Sequence, residues 1–120
     1  MDLSLTLTED ERHACRRGAA LLRALAGGLR AIGTRYEADT CAGYADTLDQ
    51  IVESGECCAV SADGKVDVEQ AAFLLEGIRD GLENADLDEG ADFIQRDIER
   101  LNDLVFRYNS TAGKAVGRPG

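Results

Sequence analysis

The sequence predicts an all-α fold, an antiparallel four-helix bundle with a short N-terminal arm and a flexible C-terminal tail. The 120 residues contain a single proline, Pro119, so residues 1–118 lack that helix breaker. Four segments carry apolar side chains three and four residues apart, which is the spacing of a buried helix face. A capping-box pattern precedes each of the four segments. These patterns are Thr8–Glu11, Thr34–Glu37, Asp67–Gln70 and Asp86–Glu89.

The predicted helices have similar lengths, roughly 17–24 residues each, as the members of one bundle require. Hydrophobic residues make up 44% of the chain, which is enough for one core and argues against general disorder. We therefore expect one domain over residues 1–110, followed by a flexible tail over 111–120. The helices are expected at residues 9–32, 35–54, 68–84 and 87–109.

The connections between these helices favour antiparallel neighbours. Gly33 suits a helix C-terminus directly before the Thr34 cap, which predicts a tight first hairpin. Residues 84–86 leave room for a second hairpin or a kink, and we favour the hairpin because one continuous helix would lack an intrachain partner. Residues 2–7 alternate polar and apolar, a weak strand signal with nothing to pair with, so we expect an extended arm packed on the bundle.

Composition excludes several classes of function. With 13 basic and 23 acidic residues the formal net charge is -10, which argues against direct binding to nucleic acid. No run of about 18 apolar residues is present, so no membrane span is expected. The N-terminal residues Met1–Ser4 lack the basic region and apolar stretch of a signal peptide. We therefore expect a cytoplasmic protein without membrane association.

Metal-binding and catalytic patterns are incomplete. A di-iron bundle needs a Glu-x-x-His motif on each of two helices, and His13 is the only histidine in the sequence. The segment over residues 59–70 resembles a calcium loop, but Ala59, Ser61 and Gln70 occupy positions that would have to supply ligands. No nucleophile motif or phosphate-binding loop is found. The sequence predicts no cofactor, no resident metal and no enzymatic activity.

The four cysteines leave one alternative open. Cys15 and Cys41 fall on helix seams and are interpreted as small core residues. Cys57 and Cys58 are adjacent in a predicted loop, where two thiols could bind a soft metal or act as a redox pair. The spacing typical of zinc sites is absent. We therefore interpret all four as reduced thiols, with a metal or redox role for the vicinal pair as the alternative.

The negative charge is concentrated in the middle of the chain. Residues 34–60 and residues 61–86 each carry a net charge of -5, whereas the first and last segments are nearly balanced. Acidic side chains follow helical spacing on both middle helices, and the fourth helix pairs Asp92 with Arg96 and Asp103 with Arg107. The predicted acidic stripes are Asp39, Asp46, Asp49 and Glu53 on the second helix, and Glu69, Glu76, Asp80 and Glu83 on the third.

Two aromatic side chains lie away from the main apolar seams. Phe73 and Phe106 either widen the core stripe or mark an apolar patch for self-association or a partner helix. The first helix contains Gly18, Gly27 and Gly28, which are expected to permit close approach of another helix, with a kink or break near residue 27 as the alternative.

These features lead to one hypothesis and two alternatives. The chain is expected to be a non-enzymatic protein-interaction module of the inhibitor, immunity or adaptor type. Its acidic second and third helices would bind a basic protein surface, either a nucleic-acid-binding groove that they mimic or an Arg-rich regulatory surface. One alternative is a metal- or redox-responsive sensor that uses Cys57 and Cys58. The other is a structural homodimer whose acidity serves solubility only.

Overall fold

The structure, a computed structural model, describes residues 3–55 and 57–116, with side chains described for these residues except 57 and 114–116. It confirms the predicted all-α four-helix architecture and adds a two-stranded sheet. The elements in chain order are β1 (Leu3–Thr6), α1 (Glu9–Ala31), α2 (Arg35–Glu53), β2 (Cys57–Val60), α3 (Ala62–Asn84) and α4 (Asp88–Val116).

The first hairpin forms as predicted, with one difference at its second cap. Thr8 and Glu11 make a reciprocal capping box at the start of α1, with bonds of 2.8 and 3.1 Å. Gly33 has φ 88°, the left-handed conformation that ends a helix and favours glycine. The Thr34 hydroxyl donates to the Leu29 carbonyl at 2.9 Å instead of capping α2.

Helix α3 begins six residues earlier than predicted. Ser61 is its N-cap, and the Ser61 hydroxyl accepts from the Gly64 backbone N–H at 2.9 Å. Asp67, the predicted cap, lies inside the helix and accepts from the Thr47 hydroxyl of α2 at 2.6 Å. The Asp67–Gln70 pattern was therefore wrong as a boundary, because a serine further upstream satisfies the first free N–H groups.

The second hairpin is confirmed, but α4 continues past its predicted end. Asp86 has φ 62° in the turn, and the Leu87 backbone N–H donates to the Leu82 carbonyl at 2.8 Å. Helix α4 runs to Val116, so its last residues extend into the range 111–120 where a tail was expected. Residues 117–120 lie outside the described residues.

The N-terminal arm is a strand with a partner, contrary to expectation. β1 pairs antiparallel with β2, and the register places Leu3 opposite Val60 and Leu5 opposite Cys58. Leu3, Leu5 and the following Leu7 are buried. The partner strand lies in the connection that was interpreted as a loop, and this long-range pairing is absent from local sequence patterns.

The core lies among all four helices and is closed at one side by the sheet. α1 packs most extensively against α2, and α3 against α4, so the bundle consists of two antiparallel hairpins. Gly18 lies at the centre, where a Cβ would lie 3.2 Å from Leu48 Cδ1 and could fit only if that side chain shifted. The largest fully buried side chains of the helices are Leu22, Leu48, Val68, Leu75, Ile98, Leu101 and Leu104.

Within residues 3–55 and 57–116, no helix is both long enough and apolar enough to cross a membrane.

Candidate protein-interaction surface

The acidic stripe of α2 faces the arginines of α1. Arg23 contacts Asp49 at 2.6 Å and Asp46 at 3.0 Å, and Arg30 contacts Asp39 at 3.1 Å. Two carboxylates on one guanidinium raise the pKa of Arg23, so its charge is retained. Most of the α2 stripe therefore has partners within the first hairpin and is partly neutralised there. Glu53 lies exposed at the C-terminal end of α2.

The acidic stripe of α3 lies in a different environment, with two basic residues along it. Lys65 contacts Glu69 at 2.8 Å, and Arg79 contacts Asp80 at 2.9 Å. The pKa of Arg79 is raised chiefly by its hydrogen bond with Asp80, with smaller contributions from Glu83 and Glu76. Arg79 therefore contacts one carboxylate, Asp80, and lies within the electrostatic influence of Glu76 and Glu83, so this stretch of α3 has more acidic than basic groups.

A groove of about 230 Å³ runs between α2 and α3. Its floor includes Cys41, which is buried, and Leu74, which packs against Cys41 in a small apolar cluster. Its rims carry two aromatic side chains, Tyr36 with 81% of its surface exposed and Phe73 with 67% exposed. The groove is lined by Tyr36, Glu37, Thr40, Cys41, Tyr44, Gln70, Phe73 and Leu74.

Phe73 connects this groove to the acidic stripe of α3. It follows Glu69 by four residues and precedes Glu76 by three, so all three side chains lie on one side of the helix. An exposed phenyl ring therefore borders the groove on one side and carboxylates along the helix axis. The α2 stripe does not contribute to this surface, because at about 100° per residue it lies on the opposite side of α2 from Tyr36, Thr40 and Tyr44.

Phe106 lies on a separate surface. It is 71% exposed and borders a shallow depression near the N-terminus of α1. The charged side chains around it contact one another: Arg100 approaches Asp103 at 3.4 Å and Asp10 at 3.9 Å. The structure therefore does not bring Phe106 and Phe73 together.

Sequence reasoning missed Tyr36 as a surface residue. Tyr36 lies at the first turn of α2, one position before the residue that would continue the seam of Cys41, Tyr44 and Leu48. Its position beside the apolar seam, in the first turn of the helix, could have indicated that this aromatic side chain is exposed. Two further exposed apolar residues, Leu87 and Phe93, border a shallow acidic depression at the α3–α4 turn.

The described cysteines are buried free thiols. Burial is the main cause that raises the pKa of Cys15 to about 12, with added repulsion from Glu11 and Cys58. Cys58 is fully buried, and its Sγ donates to the Gly55 carbonyl oxygen at 2.9 Å. The side chain of Cys57 lies outside the described residues. Across the described part of the chain, no three histidine, cysteine or acidic side chains form a metal-binding group.

Comparison of the chain with protein-family models, with curated proteins and with solved structures found no match.

Proposed function

We propose that this chain is a non-enzymatic protein-interaction module that binds a basic surface of a partner protein. Binding would use the groove between α2 and α3 together with the acidic stripe of α3. In a cytoplasmic setting such a module would act as an inhibitor, immunity protein or adaptor.

The observation that carries this proposal is the exposure of Phe73 within an acidic stripe. An isolated exposed aromatic side chain is ordinary, but here Phe73 and Tyr36 stand on the two rims of one apolar groove. Aromatic anchors beside a pocket and a charged rim are the usual components of a protein-protein binding site. The excess carboxylates along α3 would attract a partner with Arg or Lys side chains and set its orientation.

The aromatic groove favours one kind of basic partner over the other. A protein that only imitates nucleic acid needs regularly spaced negative charge. It has no need for exposed rings beside an apolar groove. An Arg-rich regulatory surface can use both features, since guanidinium groups pair with carboxylates and also stack on aromatic faces. We therefore favour a regulatory protein surface over a nucleic-acid-binding groove as the partner.

The two alternatives have less support from the structure. A two-fold homodimer through the groove would bring the acidic stripe of α3 near its own copy, and like charges oppose that contact. A sensor that relies on vicinal thiols would need access to Cys58, which is fully buried in the folded chain.

Retention of proteins from the native host by the immobilised full chain tests the proposal. We expect the wild type to retain a discrete basic protein, and both Phe73→Ser and Glu76→Lys/Asp80→Lys to lose it, because each removes one component of the surface. The control Asp92→Lys/Glu99→Lys makes the same charge change at exposed positions of α4 and should retain it. Circular dichroism checks that every variant is folded. Equal retention by folded wild type and groove variants would refute the proposal.

A further inference from the structure

We infer that the occupant of the groove is a cationic amphipathic helix of the partner, packed closely along α3 past Phe73. This inference rests on the proposed function and specifies the segment of the partner that the groove receives.

Beyond the groove, towards the C-terminus of α3, the exposed face of this helix contains two glycines. Gly77 and Gly81 follow Phe73 at intervals of four residues and therefore lie on the same side of the helix. A Cβ built at either glycine would meet no atom within 4 Å, in contrast to the Cβ at Gly18. A glycine inside a helix lowers the stability of that helix relative to alanine. Packing within the chain does not require these two glycines, whereas close approach of a second helix would use them.

The groove suits a helix better than an extended peptide. Both of its walls are helices, α2 and α3, whose backbone N–H and C=O groups are already hydrogen-bonded within each helix. An extended peptide would find no backbone partners there, while a helix satisfies its own. From Gln70 to Gly81 the face is roughly 16 Å long at 1.5 Å per residue, which corresponds to about three turns of a partner helix.

The acidic residues of α3 determine where a partner helix would carry basic side chains. Phe73 and the two glycines form a line along the exposed face of α3. Three acids lie on the side of this line that faces away from the groove. They are Glu76, Asp80 and Glu83. A partner helix would therefore place apolar residues over Phe73, small residues over the glycines and Lys or Arg beside the carboxylates. A second copy of this chain is disfavoured, because α3 would present its own acids to that side.

Selection from a displayed library of random peptides, each about 18 residues long, tests the inference on the full chain. The enriched peptides are then synthesised and titrated against the wild type, Phe73→Ser, Gly77→Ala/Gly81→Ala and the control Gly27→Ala/Gly28→Ala. The control adds the same two methyl groups at open positions of α1. Circular dichroism of each peptide, free and bound, reports whether it is helical.

We expect the enriched peptides to be basic, to carry apolar residues at helical spacing and to become helical when bound. Phe73→Ser and Gly77→Ala/Gly81→Ala should each weaken binding about tenfold, whereas the control should not. Extended or acidic peptides, equal binding to the Gly77→Ala/Gly81→Ala variant, or a selection without Phe73-dependent peptides would overturn the inference. The proposed function is decided separately, by the loss or persistence of the retained host protein.

Discussion

Individual buried polar groups in this protein have partners far away in the chain. Asp97 on α4 is buried, and Arg17 on α1 donates to both of its carboxylate oxygens at 2.6–3.1 Å. Glu11 is also buried, and it accepts from Arg107 at 2.6 Å as well as from the Thr8 backbone. Both contacts join α1 to α4, so these charges help to set how the two hairpins meet.

These contacts replace local pairs that sequence spacing had indicated. Asp103 and Arg107 are four residues apart, yet Arg107 turns to Glu11 and Asp103 contacts Arg100. Arg96, the expected partner of Asp92, lies over the Phe93 ring at 5.5 Å. A pair on one helix surface contributes only a few tenths of a kcal/mol, so a buried carboxylate from another helix competes successfully for the same arginine.

The raised pKa of the Cys15 thiol leads us to predict that the free energy of unfolding depends on pH. Its pKa is raised to about 12 in the folded chain from 9.0 for an ordinary cysteine, so the folded state holds this proton more tightly. The contribution to the free energy of unfolding is fully present below pH 9 and decreases as pH rises from 9 towards 12. For one proton the limiting slope is about 1.4 kcal/mol per pH unit.

Urea unfolding of the wild type and Cys15→Ala between pH 7 and about pH 11 measures this effect. We expect the variant to lose less stability than the wild type above pH 9, because it lacks the thiol. Cys41→Ala removes a thiol whose pKa is raised less, and it should resemble the wild type more closely. Parallel pH profiles of the wild type and Cys15→Ala would contradict the prediction.

At the scale of elements, the sequence predicted all four helices, but it predicted the residues at which they begin and end less accurately. The seams of α1 and α2 predicted both helices to within one residue, because apolar periodicity and the Gly33 terminator agree. The start of α3 was misplaced, since Ser61 lies in a stretch with little apolar periodicity. The strand β1 was interpreted as an arm because its partner lies more than 50 residues away.

Ser61 and Asp67 are the two candidate N-caps of α3, and substitutions at each residue show which of them caps the helix. We expect Ser61→Ala to lower the free energy of unfolding by about 1 kcal/mol, because the Gly64 N–H loses its acceptor. Amide hydrogen exchange at residues 62–66 should accelerate in this variant. Asp67→Asn can keep its contact with Thr47 and should leave that exchange unchanged. Faster exchange in Asp67→Asn but not in Ser61→Ala would contradict the assignment.

For the whole molecule, the acids of the two middle helices are compensated by cations from different elements. The arginines of α1 contact three acids of α2. On α3, Glu69 and Asp80 pair with Lys65 and Arg79 of the same helix, beside the exposed ring of Phe73. Self-association through the apolar groove beside Phe73 would thus be opposed by the carboxylates of α3. Under the proposed function, this exposed apolar surface would be available to a partner of opposite charge.

The balance between this charge and Phe73 predicts a salt-dependent oligomeric state. At low ionic strength we expect sedimentation equilibrium to show a monomer. At about 1 M salt, where the Debye length falls to about 3 Å, we expect weak self-association of the wild type. Phe73→Ser should remain monomeric in both conditions, and Phe106→Ser, on the separate surface, should follow the wild type. A stable dimer at low salt would favour the structural homodimer instead.

Taken alone, the sequence determined the fold class, the number of helices and the acidic character of the middle of the chain, because each depends on local composition and periodicity. Only the tertiary structure decided which acids are available. Helical spacing defines a stripe on one helix, but the orientation of that stripe depends on how neighbouring helices pack. Packing turned the α2 stripe towards Arg23 and Arg30, left Phe73 exposed on α3, and brought Tyr36 to the opposite rim of the same groove.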